Sequence, residues 1–151
     1  MTTRAQIVAC ARTFLGTPFR HQGRLKGTSL DCIGLPICVG RELGLKIPDF
    51  AFVHNGQRIN ANSYAPYPTD DRVLQGMKRY LQEIPRDTIR PGDILCLRTP
   101  VPVHAGIVSD LPPGLGLIHS HEDAGKVVEH SLTPDWFYRI AGAFLFPEVE
   151  D

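Results

Sequence analysis

The segment Ser29-Leu30-Asp31-Cys32-Ile33-Gly34-Leu35 leads from a polar loop into an apolar stretch, and its cysteine falls at the junction. Asp31 is a favourable N-cap, which predicts a helix from there to about Leu43, with Gly44 as its stop. The first amides of a helix have no partner within it, so its N-terminus attracts negative charge. We therefore expect a thiolate at Cys32 and interpret this residue as a catalytic nucleophile.

Two residues that follow the cysteine affect the packing and the start of this helix. Gly34 is small enough to let another chain segment or a substrate approach closely behind Cys32. Pro36 lies past the first turn of a helix capped by Asp31, where it cannot donate to the carbonyl of Cys32. It predicts either a later helix start or a local distortion that frees that carbonyl.

The other cysteines, at positions 10, 38 and 96, fall in apolar surroundings. No Cys-x-x-Cys spacing occurs, which argues against a zinc finger or a redox pair. Cys10 lies on an apolar helical stripe and Cys96 in an apolar strand, and we expect all three to be small buried side chains. Of the four cysteines, only Cys32 lies in a polar stretch of sequence that follows a turn.

The bulk composition excludes several classes of protein. The chain has 151 residues and 42% hydrophobic residues, which suits one globular domain. Lys plus Arg and Asp plus Glu number 16 each, so no basic surface for nucleic acid or membrane is indicated. No apolar run approaches the ~20 residues of a membrane span, and the N-terminus shows no signal-peptide core. We expect a protein synthesised in the cytoplasm and not exported by the general secretory route.

Hydrophobic periodicity predicts helices first and strands afterwards. Helices are expected over Thr3–Leu15, from Asp31, and over Arg72–Leu81, with a long ordered loop over residues 47–70. The five predicted strands are Asp93–Arg98, Val103–Ser109, Leu115–His121, Lys126–Ser131 and Arg139–Phe146. This order indicates a single α+β domain over residues 1–151, with N-terminal helices packed on a five- to six-stranded antiparallel sheet.

A cysteine nucleophile needs a base, and the base needs a group that orients it. His104 opens a strand and is followed by the small residues Ala105 and Gly106, a setting typical of a ring that faces a cleft. His119 lies on the next strand. Adjacent antiparallel strands can place two rings side by side, so His119 could fix the tautomer of His104.

Other residues compete for these roles. His121 points to the same face as His119 and is the alternative orienting residue. Carboxylate alternatives are available in the same region, at Glu122, Asp123 and Glu129. A second interpretation is a zinc site, since His-x-His with a distant His and Cys could bind the metal. No sequence feature indicates a functional role for the remaining histidines, which are His21, His54 and His130.

Taken together, five segments resemble the NlpC-type papain-like cysteine peptidases of bacterial cell walls, in the family's order. They cover most of the chain: Leu15-Gly16-Thr17-Pro18-Phe19-Arg20, Asp31-Cys32-Ile33-Gly34-Leu35, Arg90-Pro91-Gly92-Asp93-Ile94, His104-Ala105-Gly106-Ile107-Val108 and Ile118-His119-Ser120. Three further stretches are similar to the branch encoded with phage tail genes and gene-transfer agents: Arg20-His21-Gln22, Val127-Val128-Glu129 and Ala141-Gly142-Ala143-Phe144-Leu145-Phe146-Pro147.

The resemblance implies hydrolysis of an amide bond in the peptidoglycan stem peptide, typically between D-glutamate and diaminopimelate. Cys32 would attack, His104 would take and return the proton, and His119 would orient His104. The Cys32 amide would help to hold the oxyanion. The resemblance also implies delivery by a phage tail or particle, with no metal or organic cofactor and no nucleic-acid partner.

The substrate-binding positions depart from the family pattern. Phe19 stands where the family has a tyrosine, and Ile33 stands where it has a serine. Those two groups, together with the aspartate kept here as Asp31, hold the free amine of the stem peptide in family members. The loss of two polar partners weakens that recognition by about 1 kcal/mol each, so the scissile bond does not follow from the resemblance.

Two other functions are compatible with the same residues. A structural tail-tip or assembly protein could retain the fold without needing Cys32. An acyl- or amide-transferring enzyme could use the same cysteine and histidine, and it would form product only with an acceptor.

Overall fold

The computed structural model describes residues 1–50, 53–54, 57–58 and 71–150. Its helices are α1 Arg4–Arg12, α2 Gly34–Glu42, α3 Arg72–Tyr80 and α4 Pro134–Tyr138, with a 3-10 turn at Arg86–Thr88. Its strands are β1 Thr2–Thr3, β2 Arg24–Leu25, β3 Ser29–Leu30, β4 Val53–His54, β5 Gln57–Arg58, β6 Gln82–Ile84, β7 Ile94–Arg98, β8 Pro102–Leu111, β9 Gly114–His121, β10 Lys126–Ser131, β11 Ile140–Leu145 and β12 Val149–Glu150.

The main sheet has six strands in the order β10-β9-β8-β7-β11-β6, and every pairing in it is antiparallel. All five predicted strands are present in it, with ends that differ by at most two residues. The sixth, β6, is a three-residue edge strand that is too short to show a period in the sequence. The predicted α+β class with an antiparallel sheet is therefore confirmed.

Helix α1 begins at a capping box, in which Thr3 accepts from the Gln6 amide at 3.1 Å and the Gln6 side chain accepts from the Thr3 amide at 2.8 Å. The helix ends at Arg12, three residues before the predicted end. Leu15, the last residue of the predicted helix, is 42% exposed, because it lies in the turn that follows the helix.

Helix α2 begins later than the predicted Asp31 cap, because its first residue is Gly34. Asp31 still accepts a hydrogen bond from the Gly34 amide at 2.8 Å. Pro36 falls in the first turn, where amides have no partner within the helix, so its missing N–H costs nothing. Of the two interpretations of Pro36, the later helix start is confirmed. The helix ends as predicted, with Gly44 at a φ of +73°.

The sheet is apolar on both faces. The larger hydrophobic cluster joins α1, α2 and α3 to alternate residues of β8, namely Val103, Ala105 and Ile107. The smaller cluster lies on the opposite face and includes Leu97 and Val108, with Trp136 of α4 packed against it. Alternation along β8 therefore places His104 on the α4 face. The two clusters fix both sides of the strand that holds the candidate base.

Cys10 and Cys96 are buried as predicted, and Cys38 is partly buried against the larger cluster. The predicted long loop over residues 47–70 lies for the most part outside the described residues. None of the helices in the described part of the chain combines the length and the apolar character that crossing a bilayer takes.

Candidate active site

The loop that ends at Cys32 is held against the neighbouring strands β8 and β9 of the sheet. Ser120 Oγ on β9 donates to the carbonyl of Leu30 at 2.7 Å, and Cys32 Sγ lies 3.6 Å from the carbonyl oxygen of Val103 on β8. The β8–β9 pairing runs from Leu111–Gly114 to Ile107–Ile118, and Val103 lies outside that paired stretch. The sulfur therefore contacts β8 beyond its ladder with β9, next to His104 in the chain.

Cys32 is only partly accessible, and its surroundings favour the thiol. Burial raises the pKa of Cys32 to about 12, and the charge of Asp31 adds to this increase. The Ala105 amide and the Arg24 guanidinium act in the opposite direction but are weaker. The expected thiolate is therefore wrong. The helix dipole does not dominate, because α2 starts two residues after Cys32 and a carboxylate lies between the loop and the helix.

Asp31 is the centre of a buried polar network. Its side chain is 4% exposed, and it accepts from the Gln22 amide at 2.9 Å and from Arg24 at 2.7 Å, in addition to the Gly34 amide. Arg24 also binds Asp49 through two nitrogens, at 2.8 and 3.3 Å. The carboxylate that the resemblance assigned to the substrate amine is thus neutralised by a guanidinium of its own chain.

The backbone at Gly23 also approaches the backbone at Gly34 closely. A Cβ atom at Gly34 would collide with the carbonyl oxygen of Gly23, so the loop before Cys32 packs directly on the start of α2. The sequence predicted such an approach at Gly34. It did not single out Arg24, which is one of several cations in a polar loop.

The two apolar residues predicted to line the substrate site differ in exposure. Ile33 is 2% exposed and belongs to the larger hydrophobic cluster. Phe19 is half-buried, and its amide donates to the carbonyl of Gly125 at 2.9 Å. The structure therefore places Ile33 in the core and Phe19 at the surface, and a role of either toward substrate stays a prediction.

His104 and His119 face each other across β8 and β9. Nε2 of His104 lies 2.6 Å from Nδ1 of His119, and both side chains are buried. His121 stacks on His119, with ring centroids 4.8 Å apart and planes at 21°, and its centroid is 5.6 Å from that of His104. The geometry thus brings His104 and His119 together by a hydrogen bond and leaves His121 beside them.

A third histidine continues the row, although no sequence pattern had indicated it. Nε2 of His119 lies 2.8 Å from Nε2 of His130 on β10, and Nδ1 of His130 lies 2.9 Å from the carbonyl oxygen of Ser131. The pairing of Val128 with His119 makes His130 the diagonal neighbour of His119. The described structure therefore holds a hydrogen-bonded row from His104 to a backbone carbonyl.

Trp136 of α4 covers this row. Its ring centroid lies 5.0 Å from that of His119, 5.6 Å from that of His130 and 6.0 Å from that of His104. The Arg139 guanidinium lies over the same indole, 4.5 Å from its centroid. The indole shields the histidines from water on the α4 side of the sheet.

Burial determines the charge of the two inner histidines. The pKa of His104 is lowered to about 3, chiefly by burial, with smaller contributions from the charges of His121, Arg139 and His130. The pKa of His119 is lowered for the same first reason, and then by the charge of His104. At neutral pH both rings are therefore neutral. A neutral imidazole can act as a general base without first losing a proton.

The same rings contain the atoms of a possible metal site. Ligand nitrogens of His104, His119 and His121 lie within 4.8 Å of one another. The facing nitrogens of His104 and His119 share a hydrogen bond at 2.6 Å, so these two atoms are engaged with each other. The observed contacts are those of a row of hydrogen-bonded rings, and the expectation that no metal is required stays a prediction.

The chain is similar in fold to solved NlpC/P60 structures. An NlpC/P60 family protein from Bacillus cereus superposes with a TM-score of 0.68 and 18% identity, over 95% of this chain and 40% of that one. The NlpC/P60 domain of the peptidoglycan hydrolase SagA gives 0.61 and 19% over 95% and 98% of the two chains. An N-acetylmuramoyl-L-alanine amidase from Bacteroides uniformis gives 0.58 and 13% over 93% and 96%.

These similarities define the class of fold: the chain has the NlpC/P60 fold that the sequence predicted. It spans about two fifths of the Bacillus cereus protein and nearly all of the SagA domain. No protein-family model matches the sequence, and no curated protein matches it.

Proposed function

We propose that this protein is a cysteine peptidase that hydrolyses an amide bond in peptidoglycan stem peptides. The observation that supports this most strongly is the 2.6 Å contact between His104 and His119, on a strand whose backbone touches Cys32 Sγ. These contacts supply a candidate base and a group that orients it, on a strand that the candidate nucleophile touches. The fold is shared with the peptidoglycan hydrolase SagA and with an amidase, which supports the substrate class.

In the first step the neutral thiol of Cys32 attacks the amide carbonyl as His104 takes its proton. Both groups start uncharged, because burial raises the pKa of the thiol and lowers the pKa of the imidazole. The charges that develop are opposite, and they stabilise each other where water is excluded. The Cys32 amide assists at the oxyanion. His104 then returns the proton to the leaving amine, and water hydrolyses the acyl-enzyme.

Recognition of the substrate must differ from that of family members with a free aspartate. Asp31 is paired with Arg24, and Phe19 and Ile33 add no hydroxyl groups. A peptide ammonium group would meet a neutralised carboxylate at this position. We therefore propose stem peptides as the substrate class, and analysis of the reaction products identifies the bond that is cleaved.

Delivery by a phage tail or gene-transfer particle is the second part of the proposal. Its support is the similarity of Arg20-His21-Gln22 and of the C-terminal stretch from Ala141 to Pro147 to that branch of the family. Proteomic analysis of particles purified from the source strain tests this part. Its absence from every particle fraction would remove the delivery proposal and leave the catalytic one intact.

The catalytic proposal is tested by digestion of purified peptidoglycan, with the released fragments identified by mass spectrometry. We expect fragments cleaved within the stem peptide with the wild type and with Cys10→Ser, and none with Cys32→Ala. Cys10 is the matched control because it is a buried cysteine on α1 whose thiol donates to Glu42 at 3.0 Å, and serine keeps that donor.

Two outcomes would contradict it. No release by the wild type would exclude a peptidase activity of the isolated chain and favour the structural tail protein. Product that forms only when an amine acceptor is added, and that contains the acceptor, would indicate a transferase.

A further inference from the structure

The row of three histidines ends on a group whose hydrogen-bonding role is fixed. A backbone carbonyl can only accept, so the contact of 2.9 Å between His130 Nδ1 and the Ser131 oxygen requires a proton on Nδ1. With the ring neutral, Nε2 of His130 is then an acceptor. The Ser131 carbonyl thus determines which way the last ring of the row is protonated.

The donor and acceptor roles at His130 determine those at His119 and then those at His104. Because Nε2 of His130 accepts, His119 must donate from Nε2 across the 2.8 Å contact. Neutral His119 is then an acceptor at Nδ1, so His104 must donate from Nε2 across the 2.6 Å contact. Neutral His104 is left with its lone pair on Nδ1. This is the one ring nitrogen of His104 not engaged by His119, and it is the form that can take a proton from Cys32.

We propose that His130 is a positioning residue that sets the tautomer of His119 and, through it, the tautomer of the base His104. It acts without touching the reacting atoms, as the third ring from the cysteine. It also stabilises the imidazolium that forms at His104, because every ring behind that cation presents an acceptor toward it. The kinetic part of this inference rests on the proposed function, whereas the tautomer assignment does not.

The direct test is the tautomeric state of the three rings in the wild type at a pH where they are neutral. Long-range nitrogen–proton correlation spectra of protein with labelled histidine distinguish a protonated ring nitrogen from one with a lone pair. Single histidine-to-glutamine variants assign the signals. We expect protons on Nε2 of His104, Nε2 of His119 and Nδ1 of His130. A proton on Nδ1 of His104 in the wild type would overturn the inference whether or not the protein is a peptidase.

Two substitutions of opposite hydrogen-bonding type test the mechanism. His130→Glu supplies an acceptor to His119 and keeps the direction of the row, so we expect the His104 tautomer to be retained. His130→Lys supplies only donors, so His119 must accept at Nε2 and donate from Nδ1, and His104 shifts its proton to Nδ1. The lysine variant should lose roughly 10²-fold or more in kcat with little change in KM, while the glutamate variant stays within about tenfold of wild type.

The control for added charge is Tyr138→Lys, which puts a cation on α4 at a side chain that is 76% exposed. It should alter neither the nitrogen spectra nor kcat. If His130→Lys reduces kcat while the spectra show His104 still protonated on Nε2, His130 has only a structural role and the inference fails. If the spectra follow the prediction but no variant, including the wild type, cleaves peptidoglycan, the tautomer assignment stands and the proposed function fails.

Discussion

Ser120 Oγ donates to the carbonyl of Leu30 across 90 residues of sequence, and this bond ties the Cys32 loop to the strand that contains His119. Both residues are fully buried. Cys32 lies two residues after Leu30 and His119 one residue before Ser120, so this bond joins the candidate nucleophile to the strand of the candidate orienting histidine.

Removal of that hydroxyl should misalign Cys32 without unfolding the protein. Ser120→Ala loses one buried hydrogen bond, while the Leu30 carbonyl keeps the Arg20 amide as a donor at 3.2 Å. We expect a loss of about 1 kcal/mol in the free energy of unfolding and a decrease in kcat of roughly tenfold or more. Urea denaturation and peptidoglycan digestion measure the two effects. Thr28→Ala removes an exposed hydroxyl of the same loop and should change neither, and equal activity of the two variants would show that the tether does not position the cysteine.

Arg24 joins two buried carboxylates, and its loss should be costly. Arg24→Gln leaves Asp31 and Asp49, which are 4% and 10% exposed, without their shared guanidinium. We expect a decrease of about 3 kcal/mol in the free energy of unfolding, because one partner of a buried ion pair is removed and the other stays. The matched control is Lys26→Gln, whose pair with Glu42 is largely exposed and worth less than about 1 kcal/mol. If chemical denaturation gave similar losses for the two variants, the buried network would not be a stabilising element.

The pKa of Cys32 predicts how its reactivity depends on pH. The pKa is raised to about 12, so the thiolate fraction should increase steadily with pH and remain small throughout the neutral range. We expect the rate of alkylation of Cys32 by iodoacetamide to increase about tenfold per pH unit from pH 6 to 9. Peptide mass spectrometry locates the modification, and free cysteine, which levels off near its ordinary pKa, is the control. A reactivity plateau between pH 5 and 8 would instead indicate a thiolate–imidazolium pair.

The sequence predicted the parts of this site that depend on local pattern. His104 and His119 lie on two strands joined by a short turn, Leu111–Gly114, so their adjacency follows from the alternation of each strand. His130 depends on the register of β10 against β9, and a slip of one residue would turn its ring to the other face. The pattern around His130 did not indicate that register, which is why His130 had no more weight than any lone histidine.

The charge state of Cys32 was missed for a related reason. The expected thiolate followed from Asp31 as a helix cap, and the local sequence does support a helix there. Its true start at Gly34 and the burial of the sulfur against β8 are tertiary effects. Arg24 could not be distinguished from the other cations of its loop for the same reason, because its pairing with Asp49 is also a tertiary contact.

Trp136 is the only tryptophan of the chain, and it covers the histidine row. Trp136→Ala should admit water to the rings, which weakens the desolvation that keeps the pKa of His104 low and raises that pKa toward its ordinary value. A larger fraction of His104 is then protonated below pH 6.5, and activity there should fall relative to activity at pH 8. The wild type should show no such decrease between pH 8 and 5 from this group, since its imidazole stays neutral in that range.

The control is Tyr138→Ala, on the same helix but 76% exposed, which should keep the wild-type pH profile. Trp136→Phe retains an aromatic cover and should give an intermediate shift. We also expect Trp136→Ala to lower the free energy of unfolding by about 2 kcal/mol, because a half-buried indole loses both its ring contacts and the Arg139 cation. If the alanine variant kept the wild-type profile at reduced stability, the indole would be a packing residue with no influence on the protonation of His104.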